Sequence, residues 1–224
     1  MKALKNEATF KLILKKFVPI LLCAICIIGF LIFPNLDISV TSHFYDGRFY
    51  WNENSIVRFI YLVFAKIHFG FLLVLIIGLV YFSIKKLEKQ TRTTIFLLVT
   101  LILGPGIFVN VILKDNSVGR PRPVHIQEFG GNELFTPVFH YSGVCKKNCS
   151  FVSGHAGIGF YFMSLYWVFR KRRWLAFGIF VGATVGVVRI VQGGHFLSDV
   201  IFAGWVVYFT CVLTNRSLKF WHRN

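Results

Sequence analysis

Apolar residues in this chain come in long runs rather than at alternating or 3.6-residue positions, and short polar segments separate the runs. That pattern fits helices whose solvent is lipid, since a spanning helix needs roughly 20 mostly apolar residues. The first run, Phe17 to Phe33, follows a basic N-terminus. It has the outline of a signal peptide, but Pro34-Asn35-Leu36-Asp37 stands where a small-residue cleavage site would be, so it reads as a retained span. Residues 35–55 are polar and aromatic and form a first outside loop. Lys66 and His68 interrupt the next run, which predicts a short surface helix followed by one span ending near Lys85. The third span covers about Thr93 to Leu113, with a kink at Gly104-Pro105-Gly106 of the kind neighbouring membrane helices can accommodate. Residues 114–150 are the longest loop. The fourth run, His155 to Phe169, is short for a crossing and stops at Arg170-Lys171-Arg172-Arg173. The fifth runs from Trp174 to about Gln192 and the sixth from His195 to about Leu213. The expected fold is all-α: a polytopic bundle of about six transmembrane helices forming one domain over residues 1–224. Gly182-x-x-x-Gly186 predicts close helix packing within it.

Composition supports lipid as the solvent: 55% of residues are hydrophobic and 15% charged. A net charge of +16 would suit a nucleic-acid protein if the cations shared one folded surface. Most of them instead form four clusters beside apolar runs, at Lys2–Lys16, Lys85–Arg92, Arg170–Arg173 and Arg216–Arg223. No nucleic-acid partner is expected. Six spans put all four clusters, and both termini, on one side, and the positive-inside rule makes that side cytoplasmic. Of the five cysteines, Cys23, Cys26 and Cys211 lie in apolar runs as packing residues. Cys145 and Cys149 flank a polar loop segment. They are able to pair in an oxidising compartment, although four-residue spacing on a rigid helix would strain the bond.

With this topology, three separate stretches bring polar groups to the outside ends of the spans. Ionisable groups at such depth are expensive and are functional candidates. The first stretch is Lys114-Asp115-Asn116-Ser117-Val118-Gly119-Arg120-Pro121-Arg122-Pro123, in which the prolines hold two arginines on a stiff, extended backbone. The second is Ser150-Phe151-Val152-Ser153-Gly154-His155: Ser153 is a good N-cap, Gly154 allows close backbone approach, and free N–H groups at a helix start favour an anion. The third holds Arg189, His195 and Asp199. His195 and Asp199 are four residues apart, one face of a helix, so a carboxylate bonded to Nδ1 would fix the tautomer and leave Nε2 free. A turn at Gly193-Gly194 would fold Arg189 back over the imidazole. Taken singly, each stretch has a plain reading: a basic loop on lipid headgroups, a helix cap, a buried His–Asp pair.

Together the three stretches resemble the type 2 phosphatidic acid phosphatase (PAP2) superfamily. Its pattern is Lys-x6-Arg-Pro, Pro-Ser-Gly-His and Ser-Arg-x5-His-x3-Asp. Here the third block reads Val188-Arg189-x5-His195-x3-Asp199 and the second Val152-Ser153-Gly154-His155, in the family's order, over residues 114–199. In the first block Arg122 lies one residue too far from Lys114 and Arg120 one too near; Arg122, followed by Pro123, is given the motif role. Val152 replaces Pro and Val188 replaces Ser. Lys-Asp-Asn-x-x-Gly-Arg-Pro-Arg-Pro, Cys-x3-Cys-Ser-Phe-Val-Ser-Gly-His-Ala and Gln-Gly-Gly-His-Phe-x-Ser-Asp look most like bacterial lipid A phosphatases.

The resemblance implies removal of the 1- or 4′-phosphate of lipid A at the periplasmic face of the inner membrane, through a phosphohistidine. It gives His195 as nucleophile, Asp199 as its orienting group and His155 as proton donor. Lys114, Arg122 or Arg120, Ser153, Gly154 and Arg189 then hold the phosphate. Neither a metal nor another cofactor is expected, since no carboxylate cluster is available for Mg²⁺. The expected partners are a phosphorylated lipid and the membrane. Within the enzyme class the alternative is an undecaprenyl pyrophosphate or phosphatidylglycerol phosphate phosphatase. Outside it stand a small transporter or scaffold, against which the charges confined to one face argue, and a haloperoxidase, against which the spans argue.

Overall fold

The structure, a computed structural model, describes residues 2–219. The basic side chains of the Lys2–Lys16 cluster, and Arg223 of the C-terminal one, lie outside the described residues. The chain forms two compact units, Met1–Leu36 and Asp37–Asn224. The first consists mainly of helix α1 (Lys2–Ile32), in which Phe17, Ile20, Leu21, Ile25, Ile28 and Leu31 are exposed. Apolar side chains left open over most of the described face from Phe17 to Leu31 fit contact with lipid tails.

The second unit opens with α2 (Leu36–Ser42) and α3 (Ser55–Ile84). Asn54 starts α3, its Oδ1 accepting from the Ile56 and Val57 amides at 2.9 and 3.2 Å. The surface helix expected before the second span is not separate. Lys66 and His68 lie inside one continuous helix, because a polar side chain does not break the backbone ladder as proline does. Thirty residues make a rod about 45 Å long. That exceeds the roughly 30 Å hydrocarbon layer, so part of α3 extends beyond it.

Helix α4 (Glu88–Leu101) runs on into a stretch of wider, i→i+5 turns over Ile102–Asp115. The expected break at residues 104–106 therefore takes the form of a change of helix type. Pro105 has no N–H and its ring would strike the carbonyl of Leu101 in a normal turn. Asn110 Nδ2 satisfies the Pro105 carbonyl at 2.7 Å. A long loop with two short 3₁₀ turns, Pro123–His125 and Gln127–Phe129, leads to α5 (Gly154–Phe160), a 3₁₀ turn (Tyr161–Ser164) and α6 (Leu165–Phe169). Arg170, in the left-handed region, ends α6, and α7 (Arg172–Val191) follows at once. Helix α8 (Leu197–Ser217) completes the unit.

The close packing expected at Gly182 and Gly186 is present and extends to Gly178. A Cβ at Gly178 would strike the Met163 backbone, at Gly182 the Phe160 ring, and at Gly186 the Val200 side chain. One face of α7 thus lies directly on α5, the 3₁₀ turn after it and α8.

Among the described residues, four helical stretches are long and apolar enough to cross a membrane: Ser55–Ile84, Glu88–Asp115, Arg172–Val191 and Leu197–Ser217. They are five if Phe17–Ile32 with Leu36–Ser42 counts as one span. The fourth expected span, His155 to Phe169, falls in a stretch that is helical from Gly154 to Phe169 but in three short pieces, so it does not qualify on length. The protein is an all-α, multi-pass membrane bundle with four to five such spans.

Candidate active site

Helix α7 ends in a turn that Gly193 and Gly194 make possible. Gly193 adopts φ +65, and the Gly193 and Gly194 amides donate to the carbonyls of Ile190 and Arg189 at 2.8 and 2.9 Å. A Cβ at Gly194 would overlap the Arg189 guanidinium, so glycine is what allows Arg189 to fold back across the turn. Arg189 Nη1 donates to Gln192 Oε1, and the guanidinium lies over the Tyr61 ring, 4.7 Å from its centroid. Arg189 Nε is buried and meets no partner.

His195 follows the turn and is fully buried. The expected bond from its Nδ1 to Asp199 is not the one formed. Nδ1 donates to the Ser150 carbonyl at 2.7 Å, and Asp199 Oδ2 stands 3.7 Å away. Helix α8 begins only at Leu197, so His195 lies before the helix and the shared-face argument does not reach it. The result for the tautomer is the same, because a carbonyl only accepts: the proton sits on Nδ1 and Nε2 keeps its lone pair. That Nε2 is buried and without a partner. Asp199, in the first turn of α8, accepts from the Phe196 amide at 2.8 Å, Ser150 Oγ at 2.5 Å and Arg120 Nη1 at 2.8 Å.

Ser153 caps α5, its Oγ accepting from the Ala156 amide at 3.4 Å, while its own amide donates to the Asp199 carbonyl at 3.1 Å. Gly154 lies against Asn110 Oδ1 where no Cβ would fit. His155 stacks on Tyr61 with centroids 4.8 Å apart and rings 20° from parallel, and its Nε2 too is buried and unpartnered. Arg189, His195, Lys114 and Arg122 all stand close enough to act on His155 electrostatically.

The first motif block divides in two. Lys114, at the end of the widened helix, is buried and faces the site. Arg122 donates from Nε to the Asn148 carbonyl and from Nη2 to Asn148 Oδ1, at 3.1 and 2.6 Å. Partial burial lowers its pKa from the usual guanidinium value, and it stays cationic near neutrality. Arg120 corrects the expectation that it shares in phosphate binding. It is fully buried, and each of its nitrogens is bonded inside the protein: Nε to Thr136 O, Nη1 to Ser198 Oγ and Asp199 Oδ1, Nη2 to Asp37 Oδ2, all at 2.8 Å. The loop between the two arginines and α5 is closed by a disulfide, Cys145–Cys149, with Cα atoms 5.6 Å apart.

The folding therefore gathers Lys114, Arg122, Arg189, His155 and His195 at one place and directs Arg120 away from it. Four participants were not singled out by sequence: Asp37, Tyr61, Ser150 and Gln192. Asp37 and Tyr61 stand far along the chain from the motifs they touch, and nothing local marks them. Among the described residues no group of three or more His, Cys, Asp or Glu could hold a metal ion. Lys114, Arg122 and Arg189 attract an anion to the site and disfavour a divalent metal there. Three buried nitrogens without partners, His155 Nε2, His195 Nε2 and Arg189 Nε, are costly unless a ligand engages them.

A helical membrane protein with cations and two unpartnered imidazoles gathered near the ends of its helices is the class that fold and site define. The sequence profile of the PAP2 superfamily matches residues 93–223, and the chain belongs to that superfamily. It is 39% identical to a lipid A 4′-phosphatase of Francisella tularensis subsp. novicida (strain U112) over 84% of this chain and 92% of that one. A lipid A 4′-phosphatase of Rhizobium leguminosarum is 38% identical over 48% of this chain and 46% of its own. A lipid A 1-phosphatase of Rhizobium etli is 32% identical over 58% and 59%. No solved structure matches the chain.

Proposed function

We propose that this PAP2-type phosphatase hydrolyses a phosphate monoester of lipid A, at the 4′ position, on the periplasmic face of the inner membrane. The observation that carries the reading is the set of three buried, unpartnered nitrogens, His155 Nε2, His195 Nε2 and Arg189 Nε, beside Lys114 and Arg122. A phosphate is the right size and charge to engage all of them. The 39% identity to a lipid A 4′-phosphatase along most of both chains supports the lipid and the position. An apolar groove of about 710 Å³, lined along α3 by Val63, Ile67, Phe71 and Val74 and opposite by Tyr161 and Leu165, suits acyl chains. The basic clusters support a six-span topology with cytoplasmic termini. The Cys145–Cys149 disulfide supports an oxidising compartment on the side of the site.

In this mechanism Lys114, Arg122, Arg189, Ser153 and the Gly154 N–H hold the phosphate oxygens. His195 Nε2 donates its lone pair to phosphorus, forming the P–N bond as the P–O bond to the lipid breaks. His155, held as an imidazolium by the phosphate dianion, gives its Nε2 proton to the leaving oxygen. Water then attacks phosphorus, its proton going to His155, and the P–N bond breaks to release inorganic phosphate and restore both histidines. Fixed positive charge around the transferring group supplies most of the rate.

The test is mass spectrometry of lipid A incubated with the purified chain. Loss of one phosphate, from the 4′ position, is the expected result. Loss from the 1 position would overturn the regiochemistry. Intact lipid A alongside phosphate release from undecaprenyl pyrophosphate would overturn the substrate.

A further inference from the structure

Asp37 is as deeply buried as any residue in the protein, and the proposed mechanism does not use it. It lies in α2, far along the chain from every motif. Its Oδ2 accepts from Arg120 Nη2 at 2.8 Å and from Ser198 Oγ at 2.5 Å, and its Oδ1 accepts from the Ser198 amide at 2.9 Å. Ser198 Oγ in turn accepts from Arg120 Nη1 at 2.8 Å, so its proton points to Asp37. Three donors converge on Asp37 and offset the cost of burying its negative charge, which favours the ionised carboxylate.

Arg120 thus stands between two carboxylates, Asp37 and Asp199, at 2.8 Å from each. One positive charge against two negative leaves the cluster with a net charge of about −1. Without Asp37, Arg120 and Asp199 would form a neutral pair. The place where the remaining negative charge matters is His195, whose Nδ1 is 3.7 Å from Asp199 Oδ2. When Nε2 bonds to phosphorus the imidazole becomes cationic, and a fixed negative charge already in place favours that state over the neutral ring.

We propose that Asp37 is a positioning residue for the phosphoryl-transfer step: it shares the charge of Arg120 so that Asp199 keeps its own for His195. The inference rests on the proposed role of His195 as nucleophile. Asp37 touches neither substrate nor His195 and acts through Arg120 and Asp199. Its effect belongs to the transition state and not to ground-state phosphate binding.

The experiment compares kcat and KM for phosphate release from lipid A by the purified full chain, the near-isosteric Asp37→Asn, Asp199→Asn, and the double variant. Asp37→Asn is expected to lower kcat by about 10- to 100-fold with KM within about twofold of wild type. The double variant is expected to match Asp199→Asn within about twofold, because both act on one charge. Unchanged kcat in Asp37→Asn, or losses that multiply in the double variant, would overturn the proposal. Should Asp37→Asn not be recovered folded, the charge-balanced Asp37→Asn/Arg120→Gln variant removes one negative and one positive charge together and leaves Asp199 its own. A kcat within about threefold of wild type at constant KM supports the proposal, and a larger loss refutes it. If wild type leaves lipid A intact, the substrate reading fails on its own. The same coupling is then read on a soluble phosphate monoester.

Discussion

Around Arg120 every guanidinium nitrogen meets an oxygen of the protein; around Arg189 one buried nitrogen meets nothing. The two arginines are comparably hidden from solvent and lie on neighbouring parts of the same bundle, yet their surroundings are built to different ends. The Arg120 cluster is closed, with two carboxylates, a serine hydroxyl and a backbone carbonyl taking up its donors. The Arg189 region gathers positive charge, and its two neighbouring histidines each have a buried Nε2 without a partner. Closed clusters hold geometry; open ones wait for a ligand. A phosphate in the second region would complete there what Asp37 and Asp199 complete in the first.

Substitutions can break that contrast or sharpen it. The largest effect is expected in the open pocket: His195→Ala should lower phosphate release by about 10⁴-fold or more, and His155→Ala by about 10²- to 10⁴-fold. Near-normal turnover in either would remove that residue from the mechanism. In the closed cluster, Arg120→Ala strands two buried carboxylates and should cost about 3–5 kcal/mol, read as a lower unfolding temperature in detergent. A fully stable Arg120→Ala would show that the cluster is not structural.

Arg189→Lys keeps the charge but loses the planar fork, with an expected fall of about 10²-fold in kcat and little change in unfolding temperature. A drop in stability with kcat per folded molecule intact would move Arg189 into the closed class. Among the described residues Arg122 bonds to Asn148 alone, so Arg122→Ala should mainly raise KM, by about tenfold, with stability unchanged. The smallest effect is expected on metal removal. Activity in excess chelator should equal that in buffer, and a loss restored by added Mg²⁺ would contradict the cationic donor set.

Much of this was legible from the chain itself. The apolar runs carry the membrane bundle, since a stretch of twenty apolar residues has few other stable destinations. The motif blocks carry the two histidines, Arg189 and the Ser153 cap, because their roles depend on short spacings and on backbone turns, such as Gly193-Gly194, that local sequence encodes. The number of qualifying spans was less legible. Gly154–Phe169 is helical in pieces, and Lys66 and His68 failed to interrupt α3.

What the sequence determined alone, then, is the class of the bundle, the family's motif blocks and the identity of the histidines and cations that the fold gathers. All of these follow from composition and from spacings of a few residues. Only the tertiary structure decided which of two arginines separated by a single proline is bonded at every nitrogen inside the protein and which is held at Asn148. It also decided that the His195 Nδ1 proton goes to the Ser150 carbonyl, and that Asp37 reaches Arg120 from 83 positions away. The physical reason is the range of the forces involved. Helix periods and turn preferences act over neighbours along the chain, whereas a buried charge is satisfied by whatever oxygen the packed bundle brings within about 3 Å.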